Sequence, residues 1–223
     1  MTRRGSLRHL LLACALLPIG GAIAARADDS HKESRTAFKQ AYAQVDTTSG
    51  EPQRPDSEAL RTYPLYPYLQ AARIRRALAD AKGPPASVDQ RAETFIAYYE
   101  REPVGQSLRR VWLASLAERQ QWETFLSHYR DNVADDALRC QSYTARIQLN
   151  RTTDLAPDVA KQWLTPKSLP DCERAFEWLR GQNALTPALI EQRAKRALED
   201  NNYNFARQIA AYLPADRAAP LLQ

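Results

Sequence analysis

The sequence predicts an all-α protein: a superhelical array of short antiparallel helices, an α-solenoid of the tetratricopeptide-like kind. Three observations carry this expectation. Apolar residues recur at i, i+3, i+4 and i+7 along most of the chain. The period-two alternation of a half-buried strand is almost absent, and breaks rich in Gly or Pro separate the helical stretches by only a few residues. Helices of about 10–15 residues, each with one apolar stripe and short connectors, favour antiparallel hairpins stacked side by side.

The N-terminus reads differently from the rest. Arg3, Arg4, Arg8 and His9 form a positive start, Leu10 to Ala24 an apolar core, and Ala25-Arg26-Ala27 an A-x-A site before Asp28-Asp29. This is the pattern of an export signal, with cleavage expected after Ala27. An apolar core of about 15 residues is short for a membrane span, which takes ~20, and no later run approaches it. The expected division is therefore a signal peptide over 1–27 and an exported helical domain over 28–223, with no membrane span.

Charge supports the same division. The chain has 223 residues, 44% hydrophobic and 26% charged, with a mean hydropathy of −0.56 and a net charge of +5. Four of its 31 Lys and Arg lie in the first 27 residues, where there are no acids. The remaining 27 basic side chains face 26 acidic ones, a net charge of +1. No nucleic-acid-binding surface is expected from that balance.

In chain order, amphipathic helical stretches are expected over about 31–45, then at Ile74, Ala77, Leu78 and Ala81. They recur at Ala92, Phe95, Ile96 and Tyr99, and at Leu108, Val111, Trp112, Ser115 and Leu116. Further stretches cover 119–130, 133–150, 155–164, 171–180, 186–199 and 202–213. Gly83-Pro84-Pro85, Glu102-Pro103, Thr165-Pro166, Thr186-Pro187 and Leu213-Pro214 supply stops and starts. Gly50, Gly83, Gly105 and Gly181, the four glycines after the signal, fall at expected breaks. Ser87 and Thr186 read as N-caps, the latter with Pro187 at the first helical position. Roughly nine or ten helices follow from this count. Ala194, Ala197, Ala206 and Ala210 suggest the close small-residue packing of tetratricopeptide-like helices, although no 34-residue period recurs.

Two cysteines remain outside the signal, Cys140 and Cys172. An even number in an exported chain reads as a structural disulfide, with two buried free thiols as the alternative. In a stacked array, helices n and n+2 run parallel. Cys140 and Cys172 lie in stretches separated by one helix, which suits the bond.

Chemistry-bearing motifs are scarce. His31 and His128 are far apart, and no H-x-x-x-H, H-E-x-x-H or Cys/His cluster occurs, so no metal site and no cofactor are expected. No G-x-S-x-G, P-loop or G-x-G-x-x-G is present. Asp135-Asp136 and Glu199-Asp200 read as helix-end charges, and no catalytic residue can be assigned. The basic groups Arg73, Arg75, Arg76 and Arg109-Arg110 read as solvated faces paired to nearby acids, with contact to an anionic surface as the alternative.

Two aromatic segments stand out. Tyr63-Pro64-Leu65-Tyr66-Pro67-Tyr68-Leu69 is a stiff corner leading into a helix, because each Pro restrains the residue before it. Trp163 to Cys172 is a rigid connector between a Trp and a Cys. Both read as interhelix corners with aromatic plugs. The functional alternative is a sugar-stacking platform, with Tyr63, Tyr66 and Tyr68 as the glycan-stacking candidates.

These segments carry a resemblance. Leu60-Arg61-Thr62-Tyr63 through Leu69, then Trp112, Trp122, Phe125, Cys140, Tyr143 and Ala145, then Trp163-Leu164-Thr165 to Cys172 and Trp178, resemble the N-terminal superhelical domain of soluble lytic murein transglycosylases. The resemblance runs from about Ser57 onward. It implies a periplasmic, U-shaped helical domain in proteins whose C-terminal lysozyme-like domain cleaves the MurNAc–GlcNAc bond of peptidoglycan, giving 1,6-anhydro products. That family's catalytic Glu-Ser and Gly-Leu-Met-Gln motifs have no counterpart here. The only Glu-Ser is Glu33-Ser34, expected before the first helix, and the only Met is Met1. The resemblance thus implies a truncated, non-catalytic arm, inactive alone, that positions peptidoglycan glycan strands or cell-wall enzymes. The alternative is a stand-alone periplasmic adaptor that binds proteins through a helical-repeat surface.

Overall fold

The computed structural model describes residues 21–48, 52, 54–80 and 86–221, with side chains from residue 31 onward. Within them the protein is all-α, with twelve α-helices and no strand. The first six helices are α1 (Gly21–Ala43), α2 (Glu58–Arg61), α3 (Tyr66–Leu78), α4 (Ala86–Tyr98), α5 (Pro103–Glu118) and α6 (Trp122–His128). They are followed by α7 (Asp136–Gln148), α8 (Leu155–Trp163), α9 (Glu173–Gly181), α10 (Pro187–Glu199), α11 (Tyr203–Ala210) and α12 (Ala215–Ala218). Short 3-10 turns at Asp131–Val133, Pro170–Cys172 and Ala219–Leu221 link or extend them.

The number exceeds the expected nine or ten because α2 and α12 are single turns, too short to leave a periodic trace. Most of the expected signal lies outside the described residues, and the expected cleavage point after Ala27 falls within α1. Glu33-Ser34 also lies inside α1 and not before it. Among the described residues no helix is long and apolar enough to cross a membrane.

Packing follows an i/i+2 rule. α1 contacts α3, α3 contacts α5, α5 contacts α7, and α7 contacts α9. α4 lies against both α3 and α5, and α6 against both α5 and α7. The core is consequently a chain of local cores. Val45, Leu60 and Leu69 make the first, Leu108, Trp112, Leu116 and Phe125 anchor the second, and Val159, Trp163, Phe176 and Leu179 the third. The Ala194, Ala197, Ala206 and Ala210 side chains are all fully buried, and α10 packs tightly on α11 through them. Cys140 of α7 and Cys172, at the start of α9, are joined by a disulfide, with Cα atoms 4.6 Å apart.

The helix starts were largely readable. Thr186 accepts the Leu189 amide at 3.3 Å with Pro187 at the first helical position, and Asp135 caps α7 through the Leu138 amide at 2.9 Å. Ser57 caps α2 in the same way. Ser87, expected as a cap, lies within the first turn of α4.

Helix stops use a device that glycine counting missed. Gln120, Asn150, Asn183 and Asn201 all adopt positive φ, between 55° and 60°, just past the ends of α5, α7, α9 and α10. After each, the next amide donates back to a carbonyl five residues earlier: Gln121 to Leu116, Arg151 to Arg146, Ala184 to Leu179 and Asn202 to Ala197. These are Schellman closures made without glycine, and asparagine tolerates the left-handed conformation better than most residues. Gly105 is no break either. It lies in the first turn of α5, where a Cβ would overlap the Tyr99 carbonyl.

Candidate functional site

Helical periodicity builds one face of α3 from Tyr66, Gln70, Arg73 and Ile74, and one face of α4 from Ser87, Gln90, Thr94 and Tyr98. The two faces line a groove of about 710 Å³, together with Asp56 and Tyr99. That volume is within the range of pockets for ligands of a few rings, roughly 300–1,000 Å³.

The rear wall is rigid. The Arg73 guanidinium grips Asp56 with two nitrogens, at 2.6 and 2.9 Å, and the Tyr66 hydroxyl donates to the same carboxylate at 2.9 Å. Those hydrogen bonds, Arg73 first, hold the Asp56 carboxyl below the ordinary carboxylate range against the opposing effect of burial. Burial and the bond to Asp56 push the Tyr66 phenol up. Asp56 is therefore a fixed anion that orients Tyr66.

The opposite wall is aromatic and open. Tyr98 is 80% exposed, the most exposed large hydrophobic side chain among the described residues, and its ring meets that of Tyr99 edge-on at 4.7 Å. Tyr99 packs in turn on Phe95 at 4.6 Å. An exposed ring braced by a half-buried one is a stacking surface with little entropy left to lose. Gln70, Gln90 and Thr94 add amide and hydroxyl groups between the rings. Aromatic faces for C–H surfaces, with amides and hydroxyls for ring substituents and with Arg73, Arg91 and Asp56 in the same lining, make an arrangement suited to a hydroxylated ligand.

The sequence candidates are distributed unevenly around this groove. Tyr66 lines it. Tyr63 packs on Phe38 at 5.3 Å, and Tyr68 is 47% exposed, and neither lines the groove. Tyr98 was the signal that sequence reading passed over: an aromatic lying off the apolar stripe of its own helix. The basic groups are mostly engaged. Arg73 is paired to Asp56, Arg75 donates to Ser107, Arg76 reaches the Asp46 carbonyl, and the buried Arg109 donates to the His128 carbonyl and faces Glu100 at 3.7 Å.

Asp89 and Asp131 are, like Asp56, held below the ordinary carboxylate range. Among the described residues, no group of three His, Cys, Asp or Glu side chains is placed to hold a metal ion.

The fold and its residues can be compared with known proteins. The chain is 25% identical over 209 residues to the soluble lytic murein transglycosylase of Escherichia coli K12, covering 92% of this chain and 31% of that protein. It superimposes on the crystal structure of the Escherichia coli 70-kDa soluble lytic transglycosylase with a TM-score of 0.70 at 22% identity, over 86% of this chain and 31% of that one. A lytic transglycosylase from Pseudomonas aeruginosa, solved as an inactive mutant, gives a TM-score of 0.65 at 26% identity over 80% of this chain. Its homologues are soluble lytic murein transglycosylases. No protein-family model matches the chain. The chain spans less than a third of the length of these transglycosylases.

Proposed function

We propose that this chain is an exported, non-catalytic helical arm that holds peptidoglycan glycan strands, or the enzymes acting on them, in the periplasm. The observation that carries the reading is the α3/α4 groove, where Tyr66, Tyr98 and Tyr99 surround Gln70, Gln90 and Thr94. A glycan of alternating N-acetylated pyranoses offers what this groove accepts: flat C–H faces for the tyrosines, and hydroxyl and acetamido groups for the amides. Similarity to murein transglycosylases over most of the chain supports the choice of glycan.

The test uses the purified 223-residue protein with two substrates. Chitohexaose, titrated by calorimetry, is expected to bind saturably, and Tyr98→Ala is expected to weaken it about tenfold, the loss of one stacked ring. Murein sacculi are expected to pull the protein down and release no soluble muropeptides. Release of 1,6-anhydro muropeptides would overturn the non-catalytic reading. Failure of both chitohexaose and sacculi to bind would transfer the case to the protein-binding adaptor.

A further inference from the structure

A smaller pocket lies where the turn after α4, the first half of α5 and the segment leaving α6 meet. It encloses about 270 Å³ and shares no residue with the α3/α4 groove. Its polar lining is Glu100 and Arg101 from the turn, Gln106 and Arg109 from α5, and Arg130 and Asn132 from the segment after α6. Three guanidiniums thus enter from three separate parts of the chain, against a single carboxylate.

These guanidiniums are short of partners. The Arg109 side chain is only 7% exposed. Its Nη1 donates to the His128 carbonyl at 3.1 Å, but Nη2 has only Glu100, at 3.7 Å, too far for a hydrogen bond. Glu100 is itself 62% exposed and stands mostly in water. Arg130 holds the Ser127 and Tyr129 carbonyls through Nη1 alone, at 3.1 and 2.8 Å. Neither Arg130 nor the exposed Arg101 makes an ion pair with the described residues. Burial lowers the Arg109 pKa, the nearby charge of Arg130 lowers it further, and Glu100 opposes both. Like charges are therefore held together around a space that one solvated carboxylate only partly neutralises. The lining keeps an excess of two positive charges.

We propose that this pocket binds a phosphate monoester, its dianionic phosphoryl group held by Arg101, Arg109 and Arg130. The charges balance, two negative against an excess of two positive. The shape agrees as well. Guanidinium forks match phosphate oxygens, and donors arriving from three parts of the chain suit a tetrahedral group better than a flat carboxylate. Gln106 and Asn132 add amide groups to the same lining. A pocket of about 270 Å³ takes the phosphoryl group and the first atoms of whatever it esterifies, so the phosphoryl group is what it reads. This site does not depend on the glycan reading above. A soluble ester and a lipid headgroup present the same group to it.

The test titrates the full chain with glucose 1-phosphate, glucose and acetate by calorimetry, at about pH 7.5, where a phosphate monoester is close to a dianion. Glucose 1-phosphate is expected to bind saturably, and glucose and acetate at least about tenfold more weakly, since each lacks charge-assisted hydrogen bonds that the ester makes. Arg101→Gln and Arg130→Gln, both at exposed positions, should each weaken the ester about tenfold. Arg207→Gln, at an exposed position on α11, should leave it unchanged. No saturable binding of the ester, acetate binding as tightly, no effect of R101Q and R130Q, or an equal loss in R207Q would each overturn the assignment. Sedimentation with phosphatidylcholine vesicles containing phosphatidic acid separates the sources. Arg101-dependent pelleting makes the group a lipid headgroup, and ester binding without pelleting makes it a soluble ligand. The two sites fail separately: Tyr98→Ala should leave ester binding intact, and Arg101→Gln should leave chitohexaose binding intact.

Discussion

The guanidinium of Arg193 lies 4.0 Å from the centre of the Trp163 ring, buried to 3% exposure in the last core. Phe176 and Phe205 complete a cage around it, at 5.1 and 4.9 Å, and its nitrogens donate to the Thr165 and Lys167 carbonyls at 3.1 and 3.2 Å. Arg196 holds the Leu164 carbonyl and Asn202 the Pro166 carbonyl. The rigid connector seen in sequence is thus clamped from outside, by α10 and the start of α11, and Arg193 is its central pin. Burial lowers its pKa to about 10, which still leaves it charged at neutral pH.

Arg193→Ala should therefore destabilise the protein by about 3 kcal/mol, because two carbonyls lose charged donors and three rings lose their cation. Arg193→Met, which fills the cage without the cost of burying a charge, should lose less. Urea midpoints at constant m-value measure both. A loss under about 0.5 kcal/mol for the alanine variant would contradict the pinning role.

The Cys140–Cys172 disulfide ties α7 to the start of α9 across α8, the two cysteines lying 32 positions apart in sequence. Closing a loop of that length restricts the unfolded chain and contributes about 3–4 kcal/mol on the chain-entropy model. Peptide mass spectrometry of non-reduced protein should show the linked pair. Reduction, or Cys140→Ser with Cys172→Ser, should lower the thermal midpoint by several degrees while leaving the chain helical. Two free thiols in protein recovered from an oxidising compartment would contradict the bond.

His128 gives a pH dependence with a defined sign. Its ring lies 4.7 Å from Trp112, and its Nε2 is 3.3 Å from Glu93. Burial pushes its pKa below the ordinary 6.5, Glu93 opposes that shift, and Arg109 and Arg130 add to it. The unfolded chain therefore binds the proton more readily. The His128 contribution is fully present above about pH 6.5 and is lost as pH falls from there through the folded value. Asp56, Asp89 and Asp131 are lowered from 3.8 and hold their own contributions until more acidic pH, outside this window. Wild-type stability should fall more between pH 7.5 and 5.5 than that of His128→Gln. Parallel losses in the two proteins would refute the assignment.

What could be read in advance, and what could not, follows from the range of the interactions. The apolar stripes of α4 and α5 and the Thr186-Pro187 start are local, each encoded within a few turns of helix, while the cysteine pairing was readable because only two cysteines remain outside the signal. Arg193 looks like one more surface charge between Gln192 and Ala194, because its cage comes from three other elements. The stops at Asn150, Asn183 and Asn201 were present in the sequence as asparagines, but Gln120 does the same job without any favourable propensity. The groove needs Tyr66 and Tyr98 to meet across two helices. Only the packing of α3 on α4 determines that, which is why Tyr63 and Tyr68, equally prominent in sequence, are not in it.

Gly105 links stability to that groove. It sits in the first turn of α5 directly over the turn that ends α4, where the Tyr99 carbonyl also accepts the Glu102 amide at 3.0 Å. A Cβ on Gly105 would overlap that carbonyl and its carbon, which are backbone atoms and have no rotamer to yield. Alanine in a helix normally gains up to about 1 kcal/mol over glycine. Here the overlap must displace the end of α4, and Gly105→Ala should cost about 2 kcal/mol or more. The displaced residues include Tyr98 and Tyr99, so the variant should also bind chitohexaose more weakly at temperatures where it remains folded. Gly181→Ala is the matched control, since its Cβ would meet nothing within 4 Å, and it should be neutral or slightly stabilising. A Gly105→Ala protein as stable as wild type, with unchanged chitohexaose binding, would mean that the α4–α5 turn does not set the position of the tyrosines.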